Sequence, residues 1–294
     1  MSDWFTPFRA VEQEVYLRLG APGAPRLDGA SVLCPMNDPE WSGFTRFFTA
    51  AHARLGLHRV LGVGYPSGRL VEASERTDWT IRHVRDLDGD GDFLSPEVTA
   101  LRDAVDLVAA APPFGMLDTF LDWAAGRHVI VLTGMTDVTG RDIIHMLGDG
   151  ELVLDGGWNL MSPVPETAPG VAYTPRPVVW LSDMGAPLPP PPLQLDTMAG
   201  NLRYNTRLRN ALIRETGSAD GYPVLDGTDI LEVPSVSAIP SDWAGRMAVP
   251  VSFWPKWNPG QFEPLDPARS PKVNGRRLFA RLLIRRARTH TRPA

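Results

Sequence analysis

Short apolar segments alternate with helical segments through the first half of the chain, and this alternation limits the possible folds most strongly. Strands are predicted at 31–33, 59–63, 80–84, 106–110 and 128–133. Helices are predicted at 41–55, 96–103, 116–125 and 141–147. The pattern favours an α/β fold, a Rossmann-like and mainly parallel sheet with helices on both faces. Because the loops after such strands collect at one sheet edge, a ligand site is expected there.

A proline-rich segment at 161–195 interrupts this pattern and contains four consecutive prolines at 189–192. Such a segment cannot form a regular helix and is expected to be an extended connection, with one further strand possible at 178–181. Beyond it, a helix is predicted at 202–215, and strands are predicted at 245–253 and 277–284. We therefore divide the chain into an α/β core at 1–160, the connection at 161–195, and a region at 196–294. The last region is expected to supply the remainder of the sheet.

Charge is distributed unevenly along the 294 residues, whose formal net charge is −5. Residues 269–294 contain nine basic residues and no acid, whereas the remainder contains 20 basic and 34 acidic residues, a net charge of −14. This basic tail is consistent with three interpretations: it binds a polyanion, it binds the acidic residues of the remainder of the chain, or it is a solvated tail.

Composition also excludes several classes of protein. The single cysteine, Cys34, excludes an intrachain disulfide and a cysteine-based zinc site. No apolar run approaches the roughly 20 residues that a membrane helix needs, and the first residues do not resemble a secretory signal. We therefore expect a cytoplasmic protein with no membrane partner.

An acidic loop at 86–97 matches the residue spacing of an EF-hand calcium loop. Aspartates occupy loop positions 1, 3, 5 and 7, glycine position 6, and Glu97 position 12. The residues before it, 79–84, are strand-like where an EF-hand has a helix, and the sequence contains only one such loop. The favoured interpretation is therefore an acidic turn of another kind, with Asp92 directed at a ligand, and calcium binding is the alternative.

The strand at 106–110 runs directly into Ala111-Pro112-Pro113-Phe114. In enzymes that methylate the exocyclic amines of DNA bases, this position reads Asn/Asp-Pro-Pro-aromatic. The target base is flipped out of the duplex and stacks on the aromatic ring. The Asn oxygen and the first Pro carbonyl accept the amine hydrogens, and the prolines fix the direction of that carbonyl.

Nine segments, in the same order along the chain, give this sequence its resemblance to the EcoRI-type adenine-specific DNA methyltransferases. They are 4–7, 37–44, 55–57, 89–93, 106–114, 178–181, 247–253, 257–262 and 274–286. The resemblance implies a methyltransferase sheet, S-adenosyl-L-methionine as cofactor and methyl donor, double-stranded DNA as substrate, and N6 of adenine as acceptor. It also implies that the region at 196–294 contains the loops that recognise the DNA target. It also implies that the acidic loop is a family feature, so that no metal is expected.

The resemblance assigns roles to individual residues. The implied catalytic residues are Ala111, Pro112, Pro113 and Phe114. The implied cofactor-binding residues are Phe5, Thr6, Asn37, Asp38, Asp92 and Phe93. The residues predicted to bind DNA are Asn258 and Gln261, which would read base edges, and Arg276, Arg277 and Arg281, which would contact phosphates. Turn chemistry explains the Asn258-Pro-Gly sequence equally well, and the aromatic residues Trp41, Phe44, Phe47 and Phe48 are predicted to pack in the core.

Ala111 departs from the family, which has Asn at this position. A buried donor without its acceptor costs about 1–3 kcal/mol, which corresponds to a rate loss of roughly 5- to 150-fold. Three explanations remain open: an asparagine replaced to trap a complex, a degenerate relative, or a related transfer that does not need this acceptor. We expect a methyltransferase acting on adenine N6 of a flipped base. The alternative is a catalytically inactive relative that binds DNA or S-adenosylmethionine without methyl transfer.

Overall fold

The computed structural model describes residues 5–155, 160–161, 174–175, 178–185, 189–268 and 270–287. The chain divides into two compact units. The first unit comprises residues 1–137 and 152–188, and the second comprises 138–151 and 189–294. Among the helices of the described ranges, none has the length and apolarity that crossing a membrane requires.

The helices begin and end at residues suited to those positions. The α-helices are α1 (Phe8–Leu19), α2 (Gly43–Leu55), α3 (Pro96–Asp103), α4 (Leu117–Trp123), α5 (Arg141–Asp149), α6 (Met198–Tyr204) and α7 (Thr206–Thr216). The Ser42 hydroxyl accepts a hydrogen bond from the Thr45 N–H at the start of α2, and Ser95 does the same for Val98 in α3. Gly56, with a φ of 68°, ends α2 in the left-handed conformation that glycine favours.

The first unit is built on an eight-stranded mixed sheet. The strands of the unit, eight in this sheet and two outside it, are β1 (Ser31–Cys34), β2 (Arg59–Val63), β3 (Arg69–Ser74), β4 (Arg82–Asp86), β5 (Leu107–Ala110), β6 (His128–Gly134), β7 (Val153–Asp155), β8 (Leu160–Met161), β9 (Thr174–Pro175) and β10 (Val178–Ser182). The order is β4-β3-β2-β1-β5-β6-β10-β7, and β8 pairs with β9 separately. The four central strands, β2-β1-β5-β6, are parallel, and the pairs on both sides are antiparallel.

Both faces of the central strands are buried. Val32 and Leu107 belong to an apolar cluster that includes residues of α1 and α2. Their neighbours Leu33 and Val108, which point to the opposite face, are equally buried. Strands covered on both faces read as continuous apolar runs, which is why the sequence predicts them.

The predicted core aromatics separate into two groups. Phe44, Phe47 and Phe48 are fully buried, as predicted. Trp41 is 40 % exposed, so the prediction for this residue is wrong. The reason is that α2 begins at Gly43 rather than at Trp41, and the tryptophan therefore lies in the preceding turn.

The second unit carries a smaller sheet of its own. Its strands are β11 (Leu231–Glu232), β12 (Met247–Pro250), β13 (Phe262–Ala268), β14 (Lys272–Val273), β15 (Arg276–Arg277) and β16 (Arg281–Arg286). Four of them pair in the order β11-β12-β16-β13, and β14 and β15 form a separate hairpin. The expectation that residues 196–294 complete the large sheet is therefore wrong. The predicted strand at 277–284 is divided, because residues 278–280 lie between β15 and β16.

The α/β class is confirmed, although the sheet is mixed rather than mainly parallel. The turn at 64–68 returns the chain from β2 into β3 without a crossover helix, so the two strands pair antiparallel. Strand β10, predicted inside the connection, belongs to the large sheet. Residues 162–173, 176–177 and 186–188 of the proline-rich segment lie outside the described residues, so its extended conformation and the functional division at 160 and 195 stay predictions.

Candidate active site

A cavity of about 690 Å³ lies where the loops after the central strands meet in the first unit. It is lined by Phe5, Met36, Asn37, Asp38, Trp41, Tyr65, Pro66, Ser67, Asp92, Phe93, Ala111, Pro112, Pro113, Phe114, Met116 and Leu132. Nine of the ten residues predicted as catalytic or cofactor-binding are in this set, and the tenth is Thr6. The structure therefore brings these segments together as expected for loops at one edge of a parallel sheet.

The Pro-Pro-Phe segment forms a tight turn directly after β5. The Pro113 carbonyl accepts a hydrogen bond from the Met116 N–H at 3.0 Å, and Gly115 has a φ of 85°. No backbone hydrogen bond reaches the Pro112 carbonyl from the residues that the structure describes. The turn leaves the Phe114 ring 49 % exposed at the cavity. This carbonyl and this ring are therefore able to contact a ligand.

Asp137 holds this turn from the end of β6. Its Oδ2 accepts hydrogen bonds from the Gly115 N–H at 3.2 Å and from the Thr133 hydroxyl at 3.0 Å. The Phe114 ring packs on Gly134, where a β-carbon would lie only 3.0 Å from Phe114 Cδ1. Sequence reasoning missed Asp137, although a polar residue just after a central strand was a usable signal.

Asp38 and Asp92 are half-buried at the cavity and shape the loops that carry them. Asp38 Oδ1 accepts from the Glu40 N–H at 2.9 Å, and Asp92 Oδ1 accepts from the Leu94 N–H at 3.0 Å. These bonds use one oxygen of each carboxylate and fix its orientation. Within the described ranges, the other oxygen of each carboxylate accepts no hydrogen bond and could accept one from a ligand.

Aromatic side chains form much of the remaining wall. Phe93 is buried, with its ring centroid 5.7 Å from that of Phe120 and 5.3 Å from that of Trp123, so its position is fixed by packing. Trp41 and Tyr65 are partly exposed at the same cavity. Sequence reasoning missed both as site residues. The Gly-Tyr-Pro-Ser-Gly turn directly after β2 was the available signal for Tyr65.

The acidic loop at 86–97 packs against the turn at 64–68 through its backbone. The Gly68 N–H donates to the Asp90 carbonyl at 3.0 Å, and the Leu87 N–H donates to the Gly68 carbonyl at 2.8 Å. Gly91 has a φ of 83°, and a β-carbon there would collide with the Gly64 carbonyl. These close backbone contacts explain why glycines occur in both segments.

Glu97, at loop position 12, is bound by groups of the protein itself. Its carboxylate accepts from the Asp88 N–H at 2.8 Å and lies 3.0 Å from an Arg85 guanidinium nitrogen. The hydrogen bond from Arg85 holds the pKa of Glu97 below its usual range. Among the described residues, no group of three histidine, cysteine or acidic side chains is arranged to hold a metal ion. The geometry instead favours an acidic turn that places Asp92 and Phe93 at the cavity.

The N-terminal segment crosses the start of α2 at very close range. A β-carbon on Gly43 would collide with the Thr6 carbonyl and would lie 3.0 Å from the Phe8 nitrogen. Thr6 itself is buried and does not line the cavity. It therefore lies where it can hold Phe5 at the cavity wall.

Asn258 and Gln261, predicted to read bases, bind the backbone of the second unit instead. Asn258 Nδ2 donates to the Pro190 carbonyl at 2.7 Å, and its Oδ1 accepts from the Gly260 N–H at 2.9 Å. Both ends of the Gln261 amide bind the backbone of Leu193, each at 2.7 Å. These contacts support the turn interpretation, and the base-reading prediction is corrected accordingly.

The three arginines predicted to contact phosphates differ in exposure. Arg281 is buried against Glu232, with Nη2 2.8 Å from Oε1, so its prediction is corrected. Burial raises the pKa of Glu232 to about 7, against the lowering effect of Arg281. Arg276 and Arg277 are exposed on the β14–β15 hairpin and stay candidates for phosphate contacts.

Comparisons with known proteins identify the family. The model of the family described as "Adenine-specific methyltransferase EcoRI" matches residues 69–289. Type II methyltransferase M.MpnI of Mycoplasma pneumoniae is 26 % identical over 283 residues, which cover 92 % of this chain and 83 % of that protein. Type II methyltransferase M.MgeORF184P of Mycoplasma genitalium is 25 % identical, covering 97 % and 95 %. Type II methyltransferase M.EcoRI of Escherichia coli is 23 % identical, covering 87 % and 86 %.

No solved structure matches the chain significantly. The family match covers well over half of the residues, and the similarity to all three methyltransferases extends over most of their lengths. The chain therefore belongs to the EcoRI family of adenine-specific methyltransferases.

Proposed function

We propose that this protein methylates N6 of adenine in duplex DNA, with S-adenosylmethionine as the donor. The observation that carries the proposal is the convergence of three separate loops on one cavity. They are the segment at 111–114, the acidic loop at 92–93 and the loop at 36–38. The family description, adenine-specific methyltransferase, supports the choice of base.

The chemistry of the cavity fits the donor. S-adenosylmethionine supplies an electrophilic methyl group when bound, together with an adenine, ribose hydroxyls and a methionine end. Asp92 and Asp38 each have an oxygen that no described residue binds and that could accept a hydrogen bond from an amine or a hydroxyl group. Phe93 presents an aromatic side chain whose position is already fixed. These residues would hold the adenine and ribose parts, and Phe5 and Trp41 would cover them.

The acceptor base would use the other half of the cavity. A flipped adenine can stack on the exposed Phe114 ring, with the Pro112 carbonyl accepting one hydrogen of its amine. That bond orients the amine so that its lone pair is available for attack. Ala111 provides no acceptor for the second hydrogen, and we expect this to slow transfer by roughly 5- to 150-fold relative to asparagine.

Nucleoside mass spectrometry of duplex DNA incubated with S-adenosylmethionine tests the proposal. The wild-type protein should form N6-methyladenine slowly, Ala111→Asn should form it faster, and Phe114→Ala should abolish it. Failure of both the wild type and Ala111→Asn to methylate DNA, while both still bind the donor, would overturn the proposal.

One observation favours a second candidate function. The missing acceptor at position 111 lies in a cavity that is otherwise formed. A relative that binds DNA or S-adenosylmethionine without transfer would show this combination. Methylation by Ala111→Asn alone, with donor binding by both proteins, would establish this alternative.

A further inference from the structure

The second unit exposes an aromatic side chain to an unusual degree. Phe279 is 92 % exposed, compared with 70 % for Tyr204, the next most exposed large apolar or aromatic side chain in the described residues. It lies in the link at 278–280 between β15 and β16. A phenyl ring in water carries a free-energy cost that burial against a partner would remove. Because a single exposed apolar residue is not by itself a binding site, its anchoring and its neighbours decide whether it belongs to a contact surface.

The backbone around Phe279 is anchored on both sides. Leu278 packs on the apolar cluster of the small sheet, and its N–H donates to the Pro271 carbonyl at 2.8 Å. Arg281 Nη1 donates to the Phe279 carbonyl at 3.4 Å, while the same guanidinium is paired with buried Glu232. The Phe279 ring is therefore exposed to solvent on a segment whose backbone is fixed by hydrogen bonds and packing.

The surroundings of Phe279 are positively charged. Lys272, Arg276 and Arg277 are exposed on the adjacent β14–β15 hairpin. Arg276 donates to the Arg214 carbonyl and Arg277 to the Ser270 hydroxyl, both neutral oxygens at 3.1 Å. No carboxylate pairs with either guanidinium within the part of the chain that the structure describes, so their charge is available to an anion.

The carboxylate of Asp226 lies at the turn of the hairpin and is already engaged. Asp226 accepts from the backbone N–H groups of Asn274 and Gly275, both at 2.8 Å. These bonds hold the hairpin turn. An apolar protein partner would have to desolvate the two guanidinium groups without pairing their charge, which costs free energy. A polyanion that also contains aromatic bases can pair with the guanidinium groups and stack on the phenyl ring.

We infer that Phe279 inserts into the base stack of bound duplex DNA, with Arg276 and Arg277 on the flanking phosphates. This inference rests on the proposed function only in taking duplex DNA as the partner. Apolar side chains that enter a base step unstack it and bend the duplex. Aromatic–base stacking contributes about 1–3 kcal/mol per base, which corresponds to roughly 5- to 150-fold in affinity.

The salt dependence of DNA binding separates stacking from phosphate contact. Binding is followed by fluorescence anisotropy, with a labelled duplex selected by the wild-type protein from a randomised pool. Phe279→Ala should weaken binding while the slope of log K against log salt stays unchanged. Arg277→Gln should reduce the magnitude of that slope by about 1, because one phosphate contact is lost. Phe279→Trp should retain the affinity, because stacking is preserved.

Two controls protect the interpretation. Tyr204→Ala, at the other highly exposed aromatic residue of the second unit, should leave binding unchanged. The thermal unfolding midpoint of Phe279→Ala should equal that of the wild type, because the ring makes little contact within the protein. With 2-aminopurine placed in turn at positions other than the target adenine, the wild type should raise the fluorescence at one base step by unstacking, and Phe279→Ala should not.

Several results would overturn the inference. One is that Phe279→Ala binds DNA as tightly as the wild type, and another is that it binds more weakly with an altered salt slope. A third is that the wild type is a dimer and Phe279→Ala is not, which would show that the surface binds a second copy of the chain. Failure of the proposed function is distinguishable, because it appears as duplex binding and unstacking without N6-methyladenine. Absence of any duplex binding by the wild type would remove the inference as well.

Discussion

Replacing Asp137 by alanine is expected to loosen the Phe114 turn while leaving the donor half of the cavity intact. One carboxylate oxygen of Asp137 binds both the Gly115 N–H and the Thr133 hydroxyl. The donor-side residues Asp38 and Asp92 are held by hydrogen bonds within their own loops. The substitution is therefore expected to affect the positioning of the acceptor base and to leave the binding of the methyl donor unchanged.

The magnitude follows from the two bonds and their environment. A hydrogen bond to a charged group contributes about 1.5–3 kcal/mol, but water can reach the exposed Gly115 N–H and recover part of this. A net loss of about 1–2 kcal/mol in positioning Phe114 corresponds to a fall of roughly 5- to 30-fold in kcat/KM. Asp137→Asn keeps an acceptor oxygen in the same place and should restore most of the activity.

The assay is single-turnover formation of N6-methyladenine, in the wild-type or Ala111→Asn background, whichever is faster. Donor affinity is measured in parallel by calorimetric titration and should not change. Asp122→Ala, on the exposed side of α4, is the matched control. Unchanged kcat/KM in Asp137→Ala, or an equal loss in Asp137→Asn, would refute positioning through this acceptor.

Two further substitutions test other parts of the structure. Gly43→Ala places a β-carbon against the Thr6 carbonyl and should displace Phe5, lowering donor affinity about tenfold; unchanged affinity in a calorimetric titration would show that Phe5 does not contact the donor. Burial raises the pKa of Glu232 to about 7 from an ordinary value of 4.5, despite its pairing with Arg281. Folding therefore favours the protonated carboxyl, and this contribution to stability is complete below pH 4.5 and is lost as pH rises through 7. In Glu232→Gln, the decline in the free energy of unfolding between pH 4.5 and 7 should be smaller by up to about 3 kcal/mol. Urea unfolding at several pH values measures this free energy. An equal dependence of the unfolding free energy on pH in both proteins would contradict the prediction.

The position of the cavity was predictable because topology determines it. The segments at 36–38 and 111–114 follow adjacent parallel strands, so their loops meet wherever the strands end. This conclusion needs no knowledge of side-chain packing. Local helix capping was equally readable, as Ser95 and Pro96 show at the start of α3.

The predicted DNA contacts at Asn258, Gln261 and Arg281 were less accurate, because the groups that bind these side chains are distant in the chain. Arg281 looked like a surface cation, but its carboxylate partner Glu232 is 49 residues earlier in the chain. Asn258 binds a carbonyl 68 residues away. A basic or amide side chain in a loop has the same sequence signature whether it faces solvent or a buried partner. Only the tertiary fold distinguishes these environments.

The assignment of α5 to the second unit restricts how chimeric enzymes can be made. Residues 138–151 precede β7 and β10 of the large sheet, yet α5 packs on β13, and His145 lies 3.3 Å from the Asp266 carboxylate. Exchanging only residues 189–294 with those of a relative would separate α5 from the strand on which it packs. A recombinant that is to receive the complete second unit of another relative must therefore receive two segments of chain, 138–151 together with 189–294.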